Sequence, residues 1–88
     1  MRQFSVVVNK IEDGILHVRS AGLIMKEAAQ FASDVKVTKD DKTVNGKEIL
    51  EWMGLKIAVG DEITVRIEGP DEEAAAESFE VFLNKQFS

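Results

Sequence analysis

Apolar and polar positions alternate cleanly over residues 62–68, where Ile63, Val65 and Ile67 interleave with Glu62, Thr64, Arg66 and Glu68. That two-residue period is the mark of a half-buried strand. Residues 3–9 carry the same character, rich in β-branched and aromatic side chains, with Phe4, Val6 and Val8 on one face. Val35-Lys36-Val37-Thr38 alternates as well; the turn pair Asp40-Asp41 and the short arm Lys42-Thr43-Val44 make residues 34–45 a hairpin.

Between these strands the period lengthens. From Val18 to about Phe31, Ala21, Ile24, Ala28 and Phe31 recur at helical spacing, with Met25 and Ala32 widening the stripe and Lys26, Glu27 and Gln30 on the wet side. Asn45-Gly46-Lys47-Glu48 has the form of a capping box, with Asn45 or a neighbour as cap and Glu48 reaching back over the first turn. A short helix follows through Ile49, Leu50, Trp52 and Met53. Gly54 to Gly60 is a connection in which Leu55 and Ile57 plug the core. Asp71 is the expected cap of a last helix whose stripe is Ala75, Phe79, Phe82 and Leu83. The expected order is strand, helix, strand, strand, helix, strand, helix. It defines an α+β fold with one four-stranded antiparallel sheet, helices on one face and water on the other.

Length and composition narrow the class. A chain of 88 residues is read as a single domain over 1–88, and without cysteine it has no disulfide, thiolate metal site or thiol nucleophile. No early apolar run is long enough for a signal peptide or a membrane span, so the expectation is a soluble, cytoplasmic protein with no membrane insertion. A formal charge of −5 argues against a nucleic-acid partner.

Chemistry concentrates in Leu16-His17-Val18-Arg19-Ser20-Ala21, where an exposed loop after the first strand gives way to the first helix. Here stands the only histidine. Neutral imidazole is a nucleophile, and the open N–H groups and positive potential of a helix start suit a phosphate, with Arg19 close by. A solvated or capping histidine is the plainer alternative. One histidine with no cysteine leaves neither a hydrolase triad nor a histidine-based metal site. Gly22 in the first turns reads either as a flat patch where another surface lies close or as ordinary tolerance near a helix end. Ile49, Leu50 and Met53 lie either on a side away from the core, as an interface, or in the core under a thin sheet.

The hexapeptide around His17 resembles the phosphorylation-site motif, Leu/Ile-His-Ala-Arg-Pro-Ala, of the HPr family, the histidine phosphocarriers of the sugar phosphotransferase system. Lys26-Glu27-Ala28 with Phe31 and Ser33-Asp34 has the family's first-helix character, and a third match runs from Lys42-Thr43-Val44-Asn45 through Lys47, Ile49, Met53 and Leu55 to Gly60 and Glu62-Ile63-Thr64. Nearly the whole chain is covered.

The resemblance implies an open-faced β-sandwich. It implies a stoichiometric carrier rather than an enzyme, which takes a phosphoryl group from phosphorylated enzyme I and passes it to IIA domains; a monomer is the default for a carrier that must dock and leave, and no cofactor or metal is expected. His17 matches the phosphorylated histidine and Arg19 the arginine that steadies the phosphate. Ile49, Leu50 and Met53 match the apolar docking patch, and Gly22, Leu23 and Lys26 flank the same surface.

Two departures carry consequences. Ser20 replaces the family's proline; serine can begin or cap the helix, and a looser site is expected. Glu48 falls where many Gram-positive members have a serine that a dedicated kinase phosphorylates, so that switch is absent. Its carboxylate either closes the capping box or imitates the regulated state beside the docking patch. Alternatives to carriage are an HPr-like regulator of enzymes or transcription factors and a small ligand-binding module.

Overall fold

The computed structural model describes residues 1–88, the side chain of Glu12 excepted. Its elements run β1 (Arg2–Val7), α1 (Val18–Ala28), β2 (Asp34–Lys39), β3 (Lys42–Asn45), α2 (Ile49–Gly54), β4 (Glu62–Glu68) and α3 (Glu72–Gln86), with a short 3₁₀ turn at Glu12–Gly14. The sheet is antiparallel in the order β1-β4-β2-β3. β4, the most regular alternator, is therefore central, flanked by β1 and β2.

Register sorts the two faces. Phe4 pairs with Val65 and Val6 with Ile63, while Val35 and Val37 meet Ile67 and Val65 from the other side. All of these are buried except Phe4, which is half-buried and packs against the core. On the opposite face Ser5, Thr64, Thr38 and Thr43 lie in one row across the four strands. Their hydroxyls bond in pairs, Ser5 to Thr64 at 3.1 Å and Thr38 to Thr43 at 2.7 Å, which leaves this face to water.

The helices close the apolar face. Ala21, Ile24 and Ala28 of α1, Trp52 of α2, and Ala75, Phe79 and Leu83 of α3 are buried over the sheet. Phe79 meets Phe4 and Phe31 edge to face, with ring centroids 6.5 and 6.0 Å apart. Phe31 thus joins the core from beyond α1, which ends at Ala28 rather than running to Phe31. The indole N–H of Trp52 donates to the Gly46 carbonyl at 2.6 Å, so the largest buried side chain is satisfied by backbone.

Three local expectations are corrected. The capping box at 45–48 does not form. Glu48 itself occupies the N-cap position of α2 with no side-chain cap bond; Asn45 instead accepts the Lys47 N–H at 2.9 Å, and its own N–H donates to the Glu51 carboxylate at 2.8 Å. Asp71 stands at the N-cap of α3, but its carboxylate serves the turn after α1, accepting the N–H groups of Ala32 and Ser33 at 2.9 Å each and the Ser33 hydroxyl at 2.5 Å. Loop-to-loop bonding outcompetes the local cap because the buried Ser33 would otherwise strand its donors. Ser20 neither begins nor caps α1. His17 is the N-cap residue, and Ser20 is the third residue of the helix, half-buried.

Candidate functional site

His17 stands in extended conformation, φ −122° and ψ 177°, at the N-cap of α1. Its carbonyl accepts the Ala21 N–H at 2.9 Å, which starts the helical ladder. The N–H groups of Val18, Arg19 and Ser20 precede that ladder and point out of the helix end, where they and the helix dipole favour an anion. Two features hold the histidine in this place. Leu16 is buried and donates its N–H to the Ile57 carbonyl at 2.8 Å, while Ile15 bridges Ala58 and Gly14 accepts the Val59 N–H at 3.3 Å. The segment before His17, expected as an exposed loop, is in its second half a short antiparallel pair with the connection that follows α2.

That connection is itself anchored. Asp61 accepts the Ala58 N–H at 2.8 Å and pairs with the Lys39 ammonium at 2.9 Å. The hydrogen bond from Lys39, seconded by that from Ala58, holds the Asp61 carboxyl below the usual aspartate range. Lys39 also donates to the carbonyls of Leu55 at 3.0 Å and Lys56 at 2.8 Å, and Lys42 donates to Gly54 at 3.2 Å. Two lysines of the β2–β3 hairpin thus close the C-terminal end of α2. At the far side, the Phe87 carbonyl accepts the N–H groups of Asn9 and Lys10 at 2.8 and 2.9 Å, fixing the chain where it leaves β1.

The imidazole is about a third exposed, and its Nε2 lies 3.8 Å from a carboxylate oxygen of Asp13. Nε2 is covered by the fold. Asp13 lies in the stretch 9–14, whose residues read from sequence only as a turn. Its signals were present, a carboxylate four residues before the histidine and next to Gly14. Asp13 adopts φ 62° and Gly14 φ 76°, and this left-handed pair turns the chain so that position 13 returns toward 17.

Arg19, Gly22, Leu23 and Lys26 fall at i, i+3, i+4 and i+7, one stripe of α1 opposite the buried Ala21, Ile24 and Ala28. Arg19, Leu23 and Lys26 are exposed, and Gly22 is half-buried. A methyl group on Gly22 would sit 3.5 Å from Cδ1 of Ile49, so the glycine marks where α2 lies against α1. The three apolar residues of α2 divide. Leu50 is 81% exposed, whereas Ile49 and Met53 are half-buried against the core. Glu48, at the start of the same helix, is exposed. Exposed apolar side chains also occur at Ile15 and Val18, on either side of the Leu16-His17 step, and at Val59, whose N–H bonds Gly14.

Among the described residues no group of three histidine, aspartate or glutamate side chains is arranged to hold a metal ion. A groove of about 580 Å³ between β1 and α3 is lined by residues such as Arg2, Phe4, Glu73 and Glu77 rather than by His17. Among the described residues no helix is long and apolar enough to cross a membrane. The arrangement at His17 is a partly exposed imidazole at a helix start, with two cations, Arg19 and Lys26, exposed on the helix that follows.

Comparison with known proteins bears on this arrangement. Residues 3–85 match the family model described as the PTS HPr component phosphorylation site. The chain is 40% identical over 77 residues to the HPr-like protein Crh of Halalkalibacterium halodurans, covering 88% of this chain and 90% of that protein. It is 36% identical over 87 residues to the phosphocarrier protein HPr of Neisseria meningitidis serogroup A, covering 99% and 94%. Among solved structures, HPr-C-His from Thermoanaerobacter tengcongensis superposes with a TM-score of 0.88 at 31% identity, over 99% of this chain and 96% of that one.

Proposed function

Since this chain belongs to the HPr family of the phosphotransferase system, we propose that it is a carrier that takes a phosphoryl group on His17 from phosphorylated enzyme I and delivers it to IIA domains. The observation that carries this reading is the placement of His17 at the N-cap of α1 with its ring partly open to water. Because Nε2 is covered and faces Asp13, Nδ1 is the acceptor. Its lone pair forms the new N–P bond while the bond from phosphorus to the donor breaks and its electron pair leaves with the donor. The proton on Nε2 stays on the ring, next to the Asp13 carboxylate.

The phosphoryl oxygens then meet the N–H groups of Val18, Arg19 and Ser20 and the guanidinium of Arg19. A carrier has to release the group as readily as it accepts it, and an open helix end holds phosphate without enclosing it. Ser20 keeps an N–H donor at a position where proline has none, so the substitution is compatible with phosphate binding. Partners dock over Gly22, Leu23 and Lys26 of α1 and Ile49, Leu50 and Met53 of α2, and the protein works as a cytoplasmic monomer that meets them in turn.

A second reading is favoured by Glu48. Its exposed carboxylate puts a negative charge at the start of α2, the helix that carries Leu50. On this reading the protein is a regulator in which transfer from enzyme I is slowed and binding to enzymes or transcription factors is the output. Intact mass after incubation with phosphoenolpyruvate and enzyme I separates the two, run beside a His17→Ala variant. An acid-labile phosphoryl adduct on the parent alone is the expected result. A folded parent that takes up no phosphoryl group would overturn the carrier reading and leave the regulatory one.

A further inference from the structure

The pairing that buries Leu16 also decides what stands near His17. Gly14 with Val59, Ile15 with Ala58, and Leu16 with Ile57 share one antiparallel register. His17 and Lys56 are the residues next to the bonded pair of Leu16 and Ile57, so both stand at the same end of it. Side chains alternate across such a pair, and they do so here: Leu16 and Ile57 are buried, while Ile15 and Ala58 lie on the outer side, exposed and half-buried. Beyond that pair the imidazole is a third exposed and Lys56 is exposed. Each lies one Cα step, about 3.8 Å, from its member of the pair, which keeps the two within the reach of a lysine stem.

The backbone at position 56 is unusual for a lysine. Its φ is 53°, the left-handed region that glycine enters freely and that costs any residue with a Cβ. It follows Leu55, the C-cap of α2, at the position where glycine is the common choice. A cation there can complement a helix C-terminus, but that role is already filled, because Lys39 and Lys42 donate to the carbonyls of Gly54, Leu55 and Lys56. Among the described residues no ion pair holds the Lys56 ammonium.

We propose that Lys56 is a phosphate-facing cation of the His17 site, an assignment that rests on the carrier reading above. It approaches the phosphoryl group from the ladder side, while Arg19 approaches from the helix. The ammonium keeps its three protons throughout; no bond to lysine is made or broken. It offsets the charge of the incoming anionic donor and of the phosphoryl group on Nδ1 through charge-assisted hydrogen bonds.

The test uses potassium phosphoramidate, a small anionic phosphoryl donor that needs no partner protein, and phosphorylated enzyme I in a parallel arm. Parent, Lys56→Gly, Lys56→Arg and His17→Ala are followed by intact mass, with thermal melts alongside. Lys56→Gly relieves the left-handed backbone and should melt at or above the parent temperature. At low salt it should load His17 about three- to tenfold more slowly than the parent, with the gap closing as salt is raised. Lys56→Arg should load at a rate close to the parent, because it keeps the charge.

Equal loading of parent and Lys56→Gly at low salt would overturn the role of Lys56 and leave the carrier reading intact. Slow loading of both Lys56→Gly and Lys56→Arg would overturn it as well, since charge would not be the cause. A parent loaded by phosphoramidate in a Lys56-dependent way but not by enzyme I would support the cation and overturn the carrier reading. A parent loaded by neither donor would overturn both.

Discussion

Leu50→Ala should separate docking from folding. Leu50 is 81% exposed, while Trp52, two residues on, is fully buried in the same helix. Truncation removes three carbons, and burying each is worth about 0.8 kcal/mol, so a partner covering four-fifths of the side chain gains about 2 kcal/mol from them. That is the ceiling; interfaces cover edge residues incompletely, and half that value is a fair lower bound. The corresponding rise in KM for the protein as substrate of enzyme I is about fivefold to thirtyfold. Turnover at saturation should hold, because the lost contact is made equally before and during transfer. The unfolding free energy should move by less than about 0.5 kcal/mol, as at other exposed sites. Initial rates of His17 phosphorylation against protein concentration, together with a urea titration, measure both quantities. An unchanged KM in a folded variant would refute the assignment of α2 as a docking surface. A loss of stability comparable to that of a core truncation would show that Leu50 is packed rather than presented.

Two further outcomes follow from charge. Glu48→Gln and Glu48→Ser remove a carboxylate from the start of α2 and should speed phosphorylation of His17 by enzyme I if that charge hinders docking; an unchanged rate in both variants removes the idea. The aspartates predict acid sensitivity. Asp71 is held below the ordinary value of 3.8, chiefly by the Ser33 hydroxyl and then by the Ala32 N–H, and Asp61 is held down by Lys39. A folded value below the unfolded one gives stability that is complete above the unfolded value and is lost as pH falls through the folded value. Urea midpoints should therefore be flat from about pH 8 to about pH 5 and fall below about pH 4. Asp71→Asn should lower the plateau and flatten the acid limb; a limb as steep as the parent's would mean that other carboxylates carry the loss.

Much of this molecule was legible in order. The alternation at 62–68, the hairpin at 34–45 and the helical stripe from Ala21 to Ala28 are local periodicities, each set by which side of one element must be dry, and the elements appear where those periods lie. Asp71 shows the limit. Its position before an acidic helix start is a capping signal by every local rule, yet its carboxylate is taken by Ala32 and Ser33, which are distant in the chain and adjacent only after folding. Glu48 and Asn45 carry a capping-box pattern for the same local reason and lose it to Glu51, which reaches the Asn45 N–H first.

The site divides along the same line. The sequence by itself determined that a lone histidine precedes a helix with an arginine two residues on, and that the strands present one apolar face each. Only the tertiary structure decided that β4 lies between β1 and β2, that Asp13 folds back on His17, that Leu16 pairs with Ile57, and that α2 rests on Gly22 with Leu50 facing out. Periodicity is a property of neighbours along the chain, so it survives in any arrangement of the elements. Which carboxylate meets which N–H, and which apolar residue is left uncovered, depends on competition among groups far apart in sequence, and that competition is settled only when the elements pack.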